Sequence, residues 1–108
     1  MSLRPIEFHI LLALAAEERH GYAILQEVTR LTDGELELEP GTLYRALHRM
    51  LKDEWITESS RRPAADVDDE RRKYYRLTAL GRRVASAEAD RLLRLVTIAR
   101  SHRLLSRA

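Results

Sequence analysis

The sequence contains no cysteine, a single tryptophan, a single phenylalanine and only four glycines. Without cysteine, neither a disulfide bond nor a thiolate metal site can form. No apolar run approaches the roughly 20 residues that a membrane-spanning helix needs. We expect no signal peptide at the segment from Met1 to Pro5, because its one arginine leads into a predicted helix that soon carries Glu17 and Glu18. We therefore expect one small domain, located in the cytoplasm and not in a membrane.

Patterns that would indicate catalysis are also missing. The four histidines lie far apart, and there is no His-Glu-x-x-His sequence. There is also no glycine-rich phosphate loop and no Gly-x-Ser-x-Gly sequence. The sequence therefore predicts a protein that is not an enzyme and that has no metal site and no cofactor.

The net charge of +2 conceals an uneven distribution along the chain. Residues 1–40 hold three arginines and eight acidic residues, whereas residues 78–108 hold seven arginines and two acidic residues. A basic second half can attract phosphate groups. The same distribution also fits helices with ordinary solvated faces, so charge alone leaves both interpretations open.

The hydrophobic pattern predicts a mainly α (α+β) fold, a winged helix-turn-helix followed by a long helix. The alternating segment 35–39 predicts a very short strand between the second and third helices. The predicted helices cover residues 5–16, 20–31, 40–54 and 78 to near the end, and the predicted wing strands cover 55–62 and 72–77 with a polar loop at 63–70. We expect residues 1–77 to form a DNA-binding domain and residues 78–108 to form a dimerisation helix.

The third predicted helix has an apolar back and a basic front, the combination needed to read a DNA major groove. Arg45 is the best candidate for base readout, because a guanidinium group can donate to both O6 and N7 of guanine. For each candidate DNA contact on this helix the alternative is a purely structural role, such as a hydroxyl that bonds the backbone at the helix start or a side chain that is simply solvated. The other candidate DNA contacts on this helix are Thr42, Tyr44, His48 and Arg49.

The base of the wing carries a second group of candidate DNA contacts. Arg71, Arg72 and Lys73 face Arg61 and Arg62 across the predicted hairpin. These cations repel one another unless an anion lies between them. That anion is either a DNA phosphate or one of the acidic residues at the wing tip, and in the second case the contacts would be weak surface ion pairs.

The last predicted helix has a longer apolar surface than a domain of this size can cover. An exposed apolar surface of this kind indicates a partner, most economically a second copy of the same chain. The expected dimer contacts share one face of this helix, and they are Leu92, Leu95, Val96 and Ala99.

Five segments in this order resemble the PadR-like family of bacterial transcriptional regulators, in particular its compact subgroup. They are Leu11-Leu12-Ala13-Leu14, His20-Gly21-Tyr22-Ala23-Ile24-Leu25, Gly41-Thr42-Leu43-Tyr44-Arg45-Ala46-Leu47, Lys73-Tyr74-Tyr75-Arg76-Leu77-Thr78 and Gly81-Arg82. The resemblance implies a homodimer that binds a two-fold symmetric operator, usually as a repressor. It also implies that the third helix enters the major groove, that the wing touches the backbone or the minor groove, and that the last helix makes the dimer contact.

The sequence departs from the family pattern at three places. Glu54 and Trp55 stand where the family often has a glycine before the wing, the wing tip is acidic, and Glu39 stands where a small hydroxyl residue is common. Some relatives sense small aromatic molecules at the dimer interface. Since no aromatic residue follows Tyr75, an effector of this chain would be apolar or anionic and not held between aromatic rings of the last helix.

Two hypotheses follow for function. The first is a sequence-specific, double-stranded-DNA-binding regulator, a homodimer acting as a repressor on a palindromic operator, with a small-molecule effector as a possible further partner. The second is a winged-helix module that binds another protein and not DNA, which the acidic first half and the acidic wing tip favour.

Overall fold

The computed structural model describes residues 3–59 and 73–106. Its elements follow the expected order of three helices, a wing and a long helix. They are α1 (Pro5–Ala16), β1 (Arg19–His20), α2 (Gly21–Leu31), α3 (Pro40–Lys52), β2 (Ile56–Glu58), β3 (Tyr74–Leu77) and α4 (Ala79–Ser101). The fold is therefore the predicted mainly helical winged helix-turn-helix, and α1 has the predicted bounds.

The core lies where α1, α2 and α3 meet the small sheet. Ile10, Leu11 and Leu14 from α1 pack with apolar residues spaced at helical intervals on α2 and α3. Trp55, Ile56 and Tyr75 close the core on the side of the sheet, and their contribution fixes the wing against the three helices. The remaining buried apolar residues are Ala13, Ile24, Val28, Leu43, Ala46, Leu47 and Met50.

The helices begin with residues suited to that position. His20 precedes α2, and its Nδ1 accepts a hydrogen bond from the backbone N–H of Ala23 at 3.1 Å. Pro40 occupies the first position of α3, where a missing N–H costs nothing. Thr78 precedes α4, where the sequence predicts that this helix begins, and its hydroxyl accepts from the N–H of Gly81 at 2.9 Å.

The sheet differs from the prediction in its third strand. β3 lies in the centre, with β2 and β1 antiparallel to it on either side, and Arg19 and His20 pair with Tyr75 and Tyr74. The predicted strand at 35–39 is wrong. Leu36 and Leu38 do pack against the core, but the N–H of Leu36 donates to the hydroxyl of Thr32 at 3.1 Å instead of joining a strand. The edge of β3 is already occupied by β1, although the hydrophobic pattern predicted no strand at Arg19 and His20.

The last helix is shorter than predicted, with 23 residues instead of about 28, or about 34 Å at the usual rise per residue. It ends because Arg103 adopts a left-handed conformation, with φ at 59°. The N–H of Leu104 then bonds back to the carbonyl of Ala99 at 3.0 Å, which closes the helix. No helix in the described ranges is long and apolar enough to cross a membrane. The predicted wing-tip loop and the outer ends of both wing strands lie outside those ranges.

Candidate nucleic-acid interface

The third helix separates its residues into a buried face and an outward face. Its four buried residues are Leu43, Ala46, Leu47 and Met50. Arg45 and His48 are exposed, whereas Thr42, Tyr44 and Arg49 are partly buried. All five residues predicted to contact DNA from this helix are therefore outside the fully buried core. Their surroundings differ, however, and this difference separates their possible roles.

Arg45 folds back over the first turn of α3. Its Nη2 donates to the hydroxyl of Thr42 at 3.3 Å. Its Nη1 lies 3.5 Å from the position that a Cβ on Gly41 would occupy. The guanidinium group is thus held near the N-terminal end of the helix, which is the end that contacts base edges in helix-turn-helix proteins.

Tyr44 connects the start of α2 to α3. A Cβ on Gly21 would lie 2.6 Å from the Tyr44 hydroxyl oxygen, so this glycine makes room for the tyrosine ring. Tyr75 of the wing is a further neighbour. Burial raises the pKa of Tyr75, and the charges of Glu58 and Tyr44 act in the same direction. The phenol therefore stays neutral at ordinary pH.

Arg49 makes a contact that the sequence analysis missed. Its Nε lies 3.4 Å from Oε2 of Glu7, a residue of α1 that is only 5% exposed. At this distance the contact is an ion pair rather than a well-formed hydrogen bond. The two residues are 42 positions apart. No local pattern in the sequence signals a contact of that separation.

At the wing, Lys73 is exposed and its ammonium group lies 3.9 Å from the carboxylate of Glu58. A pair this exposed contributes little to stability, so the cation is available to another anion. Arg76 also points outward from β3. The other predicted wing contacts, Arg71 and Arg72, lie outside the described residues.

An acidic segment precedes α3. Glu35, Glu37 and Glu39 are all exposed. Glu39 stands at the N-cap position of α3, but its side chain makes no capping hydrogen bond. The carboxylate still interacts favourably with the helix dipole. It also brings negative charge close to the end of α3 that carries Arg45.

The second half of α4 presents the predicted apolar face to solvent. Leu95 is 51% exposed and Val96 38% exposed, while Leu92 and Ala99 on the same face are partly buried. Leu93 and Ile98 flank this face and are 60% and 55% exposed. Both are apolar in the sequence, but neither is among the predicted dimer contacts.

A cleft of 640 Å³ lies between the N-terminal segment and α4. Its lining includes Trp55, the only tryptophan of the chain, together with two arginines. Arg91 donates two hydrogen bonds to Glu88, at 2.8 and 2.6 Å, and the first cause of the lowered pKa of Glu88 is this contact. The residues lining the cleft are Leu3, Trp55, Val84, Ala87, Glu88, Arg91 and Arg94.

Comparison with known proteins agrees with this architecture. The model of the family described as the transcriptional regulator PadR-like family matches residues 10–87, which include α2, α3, the wing and the first part of α4. The chain belongs to this family. The PadR-like family consists of transcriptional regulators and not of enzymes, in agreement with the sequence analysis. Among residues 3–59 and 73–106, no three His, Cys, Asp or Glu side chains form a group that could hold a metal ion.

Three relatives illustrate the extent of the similarity. The transcriptional regulator Rv3488 of Mycobacterium tuberculosis is 36% identical over 77 residues, which are 71% of this chain and 65% of that protein. A PadR family transcription regulator from Clostridium difficile R20291 is 24% identical, with a TM-score of 0.73 over 90% of this chain and 96% of that one. Bacillus subtilis PadR, solved in complex with operator DNA, is 20% identical, with a TM-score of 0.67 over 80% of this chain and 47% of that one. At these identities the two solved structures establish the fold alone.

The matched segments span 65% of the length of Rv3488 and 64% of the length of a second curated relative, from Lysinibacillus sphaericus, which is 36% identical over 74 residues.

Proposed function

We propose that this protein is a sequence-specific DNA-binding transcriptional regulator that works in the cytoplasm as a homodimer on a palindromic operator and represses. Family membership supports the regulatory role. The observation that carries the proposal is the outward face of α3, where Arg45 is exposed and held at the N-terminal end of the helix. That end of a recognition helix meets base edges in the major groove.

The proposed contacts divide into base readout and backbone contacts. Arg45 reads a guanine with its guanidinium group, assisted by Thr42 and His48. Tyr44 and Arg49 donate to phosphate oxygens, as does Lys73 at the base of the wing. Arg71 and Arg72, next to Lys73 in the chain, belong to the same proposed phosphate contact.

The proposed dimer forms through the second half of α4. Leu92, Leu95, Val96 and Ala99 recur at the spacing of one helical face, and Leu95 is half exposed. In this division residues 1–77 bind DNA and residues 78–108 dimerise. The first turns of α4 serve both parts, because Val84 and Ala85 pack against the core.

Selection from random double-stranded oligonucleotides tests the proposal directly. We expect an enriched two-fold symmetric site, bound with an affinity that falls steeply between about 50 and 200 mM salt. Arg45→Ala is expected to cost roughly 1–3 kcal/mol of binding free energy and to relax the preference at one base position. Arg100→Ala removes the same charge from the far end of α4 and should leave the base preference unchanged. An unaltered preference in Arg45→Ala would contradict the assignment.

A second function, binding to another protein instead of DNA, has one observation in its favour. Glu35, Glu37 and Glu39 are exposed immediately before α3 and would repel phosphate. This alternative predicts no steep loss of oligonucleotide binding as salt increases, since no counterions would be released. The same titration therefore separates the two functions.

The proposal extends to a small-molecule effector that releases the operator, with the cleft beside α4 as its site. Leu3, Val84 and Ala87 offer an apolar wall and Arg94 a cation, which suits an amphipathic anion. Because Trp55 is the only tryptophan, its fluorescence reports on the cleft. We expect 8-anilinonaphthalene-1-sulfonate to quench Trp55 emission saturably, and more weakly in Arg94→Ala. Binding of this probe without quenching would contradict the site.

A further inference from the structure

Glu7 joins three parts of the molecule through one buried carboxylate. Its Oε1 accepts a hydrogen bond from the backbone N–H of Arg4 at 2.9 Å, across the start of α1. Its Oε2 faces Nε of Arg49 on α3 at 3.4 Å. The N-terminal segment, α1 and the recognition helix therefore meet at this side chain.

Glu7 and Arg49 differ in how far their side chains are exposed to solvent. The Glu7 side chain is 6% exposed, whereas that of Arg49 is 39% exposed. A buried carboxylate is costly unless a cation and hydrogen bonds compensate for the loss of water. In the described part of the chain, Arg49 is the only cation paired with Glu7. The carboxylate thus fixes the arginine, while the arginine still reaches solvent.

The contact uses only one edge of the guanidinium group. An arginine has five N–H donors in a planar arrangement, and within residues 3–59 and 73–106 Arg49 contacts Glu7 through Nε alone. The two terminal nitrogens are therefore left for an acceptor outside the chain. Two terminal N–H groups side by side suit the oxygens of a phosphate.

We propose that Glu7 is a positioning residue for DNA recognition, which holds the Nε edge of Arg49 so that its terminal nitrogens face a backbone phosphate. This inference rests on the proposed function and assigns a role to a residue that does not touch DNA. It also predicts in which direction DNA binding changes when the Glu7 carboxylate is removed. A carboxylate near DNA that acts only through its charge weakens binding, so its removal would strengthen binding. A carboxylate that positions Arg49 has the opposite effect.

The test compares Glu7→Gln, Arg49→Gln and the double variant on the operator selected by the unmodified protein. We expect both single variants to weaken binding by a similar factor, roughly five- to tenfold. The double variant should be no weaker than Arg49→Gln, because Glu7 acts through that arginine. Glu37→Gln is the matched control, since it removes an exposed acid near α3 and should bind slightly more tightly.

Three results would overturn the inference. One is equal or tighter binding by folded Glu7→Gln, and another is a further loss when Glu7→Gln is added to Arg49→Gln. If Glu7→Gln does not fold, Arg49→Lys replaces it, because lysine keeps the charge and cannot hold Glu7 and a phosphate with separate edges. The third contradicting result is undiminished DNA binding by Arg49→Lys. Absence of salt-dependent DNA binding in the unmodified protein would instead overturn the proposed function together with this inference.

Discussion

At the scale of single residues, the end of α3 places a residue other than glycine in a backbone conformation that favours glycine. The N–H of Trp55 bonds to the carbonyl of Met50 and the N–H of Glu54 to that of Leu51, the two bonds of a Schellman cap. This cap puts Glu54 at φ 62°, where glycine is favoured. The strain is retained because the cap directs Trp55 into the core.

Replacing Glu54 by glycine should therefore stabilise the protein. Glycine relieves the strain of the left-handed conformation in the folded state but increases the conformational entropy of the unfolded chain. Because the first effect is larger, we expect a gain of roughly 0.5–1 kcal/mol in the free energy of unfolding. Urea denaturation followed by circular dichroism measures it. Glu54→Ala removes the same carboxylate but keeps a Cβ, so it should give no such gain. Equal stabilities of the two variants would refute the strain argument.

Gly81 illustrates the opposite case, a position where nothing but glycine fits. A Cβ at Gly81 would lie 1.9 Å from the carbonyl oxygen of Trp55, which is backbone and cannot move aside. We expect Gly81→Ala to cost about 3 kcal/mol or more in unfolding free energy. Gly41→Ala is the control, because its Cβ would have an ordinary 3.5 Å contact with Arg45 in the first turn of α3. A similar cost for both substitutions would contradict the explanation.

At the scale of elements, a charge network around the buried Glu27 ties α1 and β1 to α2. Arg19 donates from Nε to the carbonyl of Ala13 at 2.9 Å, and its Nη2 lies 3.7 Å from Glu27. Glu27 is 8% exposed and accepts a hydrogen bond from Arg30 at 2.8 Å. The hydrogen bond from Arg30 is the main cause that lowers the pKa of Glu27, and the charge of Arg19 adds to it against the effect of burial.

This network predicts a pH-dependent stability. A carboxyl group with a lowered pKa in the folded state contributes stability above its unfolded pKa, near 4.5, and loses it as the pH falls through the folded value. We expect Glu27→Gln to cost about 1 kcal/mol at pH 7 and progressively less below pH 4.5. Denaturation of both proteins in urea at pH 7, 5 and 3 measures the difference. A difference that does not change with pH would argue against the ionised pair.

The elements also show what the sequence can and cannot predict. The apolar residues of α1, the amphipathic patterns of α2 and α3 and the proline at the start of α3 are local signals, so these three helices were predicted with nearly correct bounds. Thr78 likewise predicted where α4 begins. β1 has only two residues and exists because β3 offers an edge, which no periodicity reveals. The alternation at 35–39 correctly predicted inward leucines and wrongly predicted a strand. At the candidate site, the outward face of α3 was readable from spacing, whereas the contact of Glu7 with Arg49 depends on the tertiary fold.

At the scale of the whole molecule, the protein is elongated, with extents of 54, 28 and 21 Å. Its radius of gyration is 15.5 Å, while a compact domain of this length has about 13 Å. The excess arises from α4, whose second half carries exposed leucine, isoleucine and valine side chains beyond the core. These exposed apolar side chains are the ones that the proposed dimer would cover.

Charge placed on that surface should separate dimerisation from folding. Leu95 is already 51% exposed in one chain, so Leu95→Glu costs little within the protomer, whereas in a dimer the carboxylate would be buried without a partner. We expect light scattering to give 12.5 kDa for this variant and twice that mass for the unmodified protein, with unchanged circular dichroism. Leu31→Glu alters a residue of similar exposure at the end of α2 and should remain dimeric. Operator affinity should fall steeply in Leu95→Glu alone, because a single recognition helix reads only one half-site. A folded Leu95→Glu variant that keeps the doubled mass would show that the subunits associate through another surface.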